Sequence, residues 1–319
     1  MYSKYILLHC VQNSNRLIES EEKEWVIMKK GIIYSIITAL VFVTLEPVSK
    51  LIAGDATPYA ITFWRFAIGS FILIPFAIAK IKKEKLKISW KDIGIMTLLG
   101  ILFICVSMVS LQLAVKQADS PSLIAIIFSS NSVFTLVFAI PIAREKLTMK
   151  KVIAVLLCVC GLLFCVDFRQ GTGWLSVLLA LFASLSFSLY TALSQRFMTK
   201  LGSAVQTCFV FVLGSIVLLI VLMIGGVDML PTFSVKNVSI LLYLGFLVTG
   251  LGYLCYFKAI EKGGAIMGSM AFFIKPILTP FVGLVVNKIP LTWNVFVAVL
   301  FVVLGSACAI YEKQIGKKK

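Results

Sequence analysis

The chain is poor in the side chains that carry most enzyme chemistry. It has one histidine, His9, and 14 acidic residues among 319. An imidazole-based metal or acid–base site therefore has no second histidine to draw on. There is no HExxH motif, no aspartate pair and no evident Ser–base catalytic arrangement, which leaves a membrane enzyme without a catalytic constellation. No GxxxxGK[ST] loop is present to cradle nucleotide phosphates. The eight cysteines, at 10, 105, 158, 160, 165, 208, 255 and 308, form no CxxC pair and fall almost entirely inside apolar segments. They read as small core residues rather than disulfides, zinc ligands or nucleophiles.

Charge is scarce as well. Only 14% of residues are charged and 60% are hydrophobic, with a mean hydropathy of +1.02, more apolar surface than a soluble domain of this length could bury. The composition is that of an integral membrane protein. A targeting segment is not evident in residues 1–30, where the apolar stretch is only YILL and His9 before Cys10 does not suit a lipoprotein cleavage site. A start at Met28 is a second reading, since MKKGII is an ordinary membrane-protein beginning.

What is abundant is apolar sequence. Runs long enough to cross about 30 Å of hydrocarbon as helices lie near 32–53, 58–79, 93–114, 121–142, 152–168, 174–195, 204–224, 238–259, 265–286 and 293–311. The expected fold is therefore all-α, with ten transmembrane helices. The short connections on one side carry 23 of the 30 basic residues, against four (Lys116, Arg169, Lys236, Lys288) on the other. That asymmetry predicts both termini in the cytoplasm.

The second half repeats the first. YLGFLVTGLGYLCYFKAIEKGGA at 243–265 resembles LLGILFICVSMVSLQLAVKQADS at 98–120, an offset of 145 that places Gly100 on Gly245 and Ser130-Asn131 on Lys275-Pro276. Five helices per copy is an odd number, so the copies are expected to enter the membrane from opposite sides. The expected organisation is an N-terminal cytoplasmic segment 1–30, repeats at 31–168 and 172–312, and a basic tail 313–319.

Polar residues at helical spacing mark the first, fourth, sixth, eighth and ninth spans as candidate walls of a central cavity. Ser and Thr also serve close helix packing. Three basic residues remain inside spans once the loops are removed: Lys50, Arg65 and Lys275. Glu46 is the only carboxylate well inside one. Such a group needs a counter-charge or a proton. Lys50, Arg65 and Lys275 are all candidate partners, and a Glu46–Lys50–Arg65 ion-pair lock near the outer surface is one expectation. Lys275 sits at mid-depth beside Pro276, with Pro280 a turn later, so the helix is expected to be locally broken there. Lys275 is the candidate anchor for an anionic substrate group, and a gating pair with Glu46 is the competing reading.

Three stretches carry a family resemblance: TFWRFAIGSFIL in the second span, AIPIAREKLTMKKVIAVLLCVCGLLF joining the fourth and fifth, and LGYLCYFKAI in the eighth. They resemble the EamA-like transporters of the drug/metabolite transporter superfamily, over about residues 31–312. The resemblance implies a basket of ten helices, alternating access, and a cavity lined chiefly by helices 1, 3, 4, 6, 8 and 9. The chain departs from the family at Asn131, where Pro is frequent, and at Ile289 of NKIPLT, where its repeat has Glu145 of REKLT.

The expected function is secondary active transport of a small polar metabolite, such as an amino acid or organic carboxylate, most often outward, in the inner or cytoplasmic membrane. Lys275, Pro276, Ser130, Asn131, Tyr253, Tyr256, Ser188 and Thr191 are the candidate substrate-binding residues. Glu46, Lys50 and Arg65 are the candidates for proton coupling or gating, since burial favours the neutral form of a carboxylate. The partners are the bilayer and a small molecule, with no nucleic acid, metal or cofactor. The alternative is proton-coupled export of lipophilic cations, as in small multidrug resistance proteins, which also carry a glutamate in their first helix.

Overall fold

The computed structural model describes residues 29–143, 148–165 and 173–316. The segment around the second possible start, Glu145, the junction between the repeats and the end of the basic tail lie outside the described residues.

Within them the chain is helix and short turns. The helical segments follow in order: α1 (Lys29–Lys50), α2 (Pro58–Glu84), α3 (Trp90–Gln117), α4 (Pro121–Ile142), α5 (Met149–Cys165), α6 (Trp174–Leu201), α7 (Ser203–Ile224), α8 (Val235–Lys262), continuous with α9 (263–287), and α10 (Trp293–Gly316). Seven of them, α1–α4 and α6–α8, are long and apolar enough to cross a membrane; α5, α9 and α10 hold shorter apolar helices. Large apolar side chains such as Phe71, Leu98 and Met223 remain exposed, as lipid-facing positions must.

Local chemistry sets several ends. Thr57 caps α2 by accepting a hydrogen bond from the Ala60 amide at 3.0 Å, ahead of Pro58 at the first helical position. Ser89 and Asp92 form a reciprocal capping box at the start of α3. Between α8 and α9 the helical hydrogen bonding never lapses over Gly252–Asn287. Even so, the rings of Tyr256 and Phe272 are 5.5 Å apart. A straight helix would separate those positions by about 24 Å, so the chain doubles back between them. Gly268 permits the close return, because a Cβ there would stand 2.5 Å from Ile260 Cγ1.

The 145-residue repeat is visible in the packing. The helix starts Pro58 and Trp90 recur 145 residues on, at Ser203 and Val235. Backbones cross without side chains between them at Gly100 of α3 and Gly214 of α7, where a Cβ on either would meet the other's backbone at 2.8–2.9 Å. The repeat-mates of these two glycines are Gly245 and Gly69, and they face each other where α8 crosses α2: a Cβ on Gly69 would come within 3.2 Å of the Gly245 carbonyl. Other repeat-mates touch directly. The rings of Phe66 and Phe211 are 4.9 Å apart, and Tyr253 donates to Met108 Sδ at 3.5 Å. Contacts of this kind join the two halves of the chain directly.

Helix irregularities differ from the sequence expectation in a specific way. The proline-bearing α9 stays helical through Pro276 and Pro280. The break falls on its repeat-mate, at Ser130 in α4, which separates Pro121–Ser129 from Asn131–Ala143. There the Ser130 hydroxyl donates to the Ile127 carbonyl at 2.6 Å and the Asn131 amide to the Phe128 carbonyl at 2.6 Å, so side chains replace ladder donors. A second break, at Val43 and Thr44 of α1, precedes Pro47, which lacks the amide that would bond Val43. α3 and α8 each contain a π-helical stretch, Ile101–Met108 and Leu244–Leu251.

Candidate functional site

Glu46 lies in the first turn of the helical segment Leu45–Lys50 that follows the break in α1. Lys275 lies one residue before Pro276 in α9. Each charge thus stands directly before a proline, where the ladder is one donor short. Lys275 Nζ donates to Glu46 Oε1 at 2.6 Å, and both residues are 0% exposed. The ammonium also faces the Phe128 ring at 5.2 Å. At this depth neither charge could persist without the other, because desolvation costs several kcal/mol per ion.

Arg65 of α2 is, with Glu46 and Lys275, the third charged residue at 0% exposure among the described residues. Its Nε donates to Thr249 Oγ1 at 3.1 Å, and one terminal nitrogen reaches Met108 Sδ at 3.9 Å. Both partners come from the π-helical stretches of α3 and α8. Tyr253 stands beside the guanidinium, whose carbon lies 4.9 Å from the Phe66 ring centre, and Glu46 is within electrostatic reach. Two polar atoms in this group have no hydrogen-bond partner: Arg65 Nη1 and Glu46 Oε2.

These placements correct the ion-pair lock. Glu46 pairs with Lys275, not with Lys50 or Arg65. Lys50 turns instead to the carbonyls of Val115, Lys116 and Ala118 at 3.2, 3.0 and 2.5 Å, closing the C-terminal end of α3. A cation at exposed helix carbonyls is well placed by the helix dipole. The expected break at Lys275–Pro276 is absent, as described above.

The uncharged candidates form a second, neutral group. Ser130 and Ser184 hydroxyls are 2.9 Å apart, and Ser188 donates to the Asn131 carbonyl at 2.9 Å. Thr191 pairs with Tyr256 and also donates to the Phe187 carbonyl one turn back at 2.9 Å. The hydroxyls of Ser35, Ser129 and Thr279 likewise return to their own helix at 2.9, 2.7 and 2.8 Å. Many residues of the polar stripes are therefore buried and satisfied locally, so a stripe alone does not identify a binding group. The 145 offset maps Glu46, Arg65 and Lys275 onto Thr191, Val210 and Ser130. Each of these three has a neutral repeat-mate.

The sequence reading missed two things: Pro47 as the cause of the break that presents Glu46, and the aromatic shell around the charges. Rings of Phe42, Phe66, Phe103 and Phe211 close on Tyr253 at centre distances of 4.7, 6.0, 5.2 and 5.5 Å. Their sequence signal was weak, since phenylalanine is spread through all apolar segments.

The model of the EamA-like transporter family matches the chain twice, at residues 29–166 and 174–311. An uncharacterized transporter of Clostridium kluyveri is 33% identical over 88% of this chain and 92% of its own. The uncharacterized transporter YyaM of Bacillus subtilis is 25% identical over 85% and 89%. A crystal structure with 16% sequence identity superposes with a TM-score of 0.66 over 88% of this chain and 95% of that one, a likeness of fold alone.

Proposed function

The chain belongs to the EamA-like transporter family, and from that premise we propose that this membrane transporter moves a small polar metabolite carrying a carboxylate by alternating access. The observation that carries the reading is the buried cluster of Glu46, Lys275 and Arg65, which holds two positive charges against one negative. Intramembrane ionisable groups of this kind mark substrate or ion paths far more often than they add stability.

In this reading ten spans cross the bilayer as two inverted five-helix repeats, with both termini cytoplasmic and the cluster between the halves. An ion gradient drives transport, most naturally outward across the cytoplasmic membrane. Glu46, released from Lys275, carries the proton. Ser130, Asn131, Ser188, Thr191, Tyr253, Tyr256 and Pro276 contribute the surrounding polar surface.

Counterflow in proteoliposomes tests it. Uptake of a labelled amino acid or organic acid is expected to saturate, to accelerate when the same compound is preloaded, and to fall at least tenfold in Lys275→Ala. Undiminished transport by that variant would remove the cluster from the path. Export of lipophilic cations is the second reading, favoured by the aromatic shell; protection of cells against quaternary ammonium compounds but not against amino acid excess would select it.

A further inference from the structure

We propose that Arg65, rather than Lys275, binds the substrate's carboxylate, with the free oxygen of Glu46 taking an ammonium group, so that the ligand class is a zwitterion. This rests on the transport reading for what the ligand is, but its binding test is independent of transport.

Lys275 is already compensated. Its ammonium is 2.6 Å from Glu46 and stacked over Phe128. Arg65 is not. Of its five N–H groups, one is well used, on Thr249 at 3.1 Å, and the Tyr253 hydroxyl stands beside the guanidinium as a neutral partner. Another meets only the Met108 sulfur at 3.9 Å, a weak acceptor that a carboxylate would displace. Nη1 has no partner, although the residue is fully buried. The terminal fork of the guanidinium, which suits a carboxylate in bidentate geometry, is thus available. The charge of the cluster that has no counter-charge sits at Arg65, so a ligand's carboxylate is drawn there, while its ammonium is drawn to Glu46 and the total charge of the cluster stays as it was.

Position supports the same assignment. Arg65 is flanked by contacts between repeat-mates, Phe66 with Phe211 and Met108 with Tyr253, which places it where the halves meet. Its other neighbours, Thr249 and Met108, belong to the two π-helical stretches, a helix form that concentrates at functional sites. Its repeat-mate is Val210, so the second copy has no arginine at this position. Glu46 Oε2, also unpartnered, supplies the complementary acceptor within electrostatic reach.

The test is a thermal-shift series on purified full-length protein, using a panel of L-amino acids, each compared with its carboxamide. The pair differs only in the carboxylate. In the wild type at least one acid is expected to raise the melting midpoint while its amide does not. In Arg65→Gln that difference disappears, and in Arg65→Lys, which keeps the charge and loses the fork, it survives with affinity about tenfold weaker. If Arg65→Gln does not fold, the lysine variant still reads the graded loss. The inference is overturned if no acid is preferred over its amide in the wild type, if the preference survives in Arg65→Gln, or if Arg65→Lys leaves affinity unchanged. Counterflow measured in parallel separates the two claims. Transport with an intact acid preference in Arg65→Gln sinks the Arg65 assignment alone. An Arg65-dependent preference in a protein that fails to transport sinks the transport reading alone.

Discussion

At the scale of single residues, Lys275 and Glu46 neutralise one another in a place where neither reaches solvent. Removing one leaves the other as an isolated buried charge, which costs about 3–5 kcal/mol. Lys275→Met or Glu46→Leu alone is therefore expected to lower the melting midpoint of the purified protein sharply. The double variant, with two apolar side chains in the same space, recovers most of that loss and still does not transport. Recovery of transport along with stability would show the pair to be a structural device. The candidates were legible in the sequence because charge is so rare inside its apolar runs. The pairing was not, since Glu46 had three cations on three different helices within plausible reach, and only the packing of α1 against α9 decides among them. Arg65 was visible as a charge, but its shared depth with Glu46 suggested a lock and concealed that its Nη1 is left without a partner.

At the scale of elements, prolines and breaks do not coincide one to one. α9 keeps its helix over Pro276 and Pro280, whereas α4 breaks at Ser130, where hydroxyl and amide side chains compete for the backbone carbonyls. Sequence-level reading weighs proline heavily because it removes a donor, but surrounding helices can tolerate that loss. Local side-chain competition is harder to see in advance. The glycine crossings are the more rigid elements. In Gly214→Ala the new Cβ would stand 2.8 Å from the Gly100 carbonyl oxygen. Neither backbone can turn aside, so a loss of about 1–3 kcal/mol is expected in thermal or denaturant unfolding. Gly54→Ala, with nothing within 4 Å of its Cβ, is the control and should stay within about 0.5 kcal/mol of the parent. Equal stability of the two variants would mean that α3 and α7 do not cross as described.

At the scale of the whole molecule, duplication was legible from one ungapped match at an offset of 145, because each half must build the same five rods. Divergence was less so. The copies share glycine crossings and aromatic contacts, while Glu46, Arg65 and Lys275 belong to positions whose repeat-mates are threonine, valine and serine. Symmetry serves the packing, and the charges depart from it, Glu46 and Arg65 in the first copy and Lys275 in the second. Both ends of the molecule are tied. At one, Lys80 pairs with Glu261 at 3.2 Å and Lys200 with Asp92 at 2.7 Å. At the other, Lys236 donates to the Leu51 carbonyl at 3.3 Å and Asn287 to the Pro47 carbonyl at 3.1 Å. The proposed alternating access would require these two tied ends to open in turn. The direct measurement is cysteine accessibility. Thr249→Cys, in a protein otherwise free of cysteine, would be exposed to a membrane-impermeant maleimide in right-side-out and in inside-out vesicles. The account predicts labelling from each face. Labelling from neither would contradict it and make the buried charges part of a closed structural core.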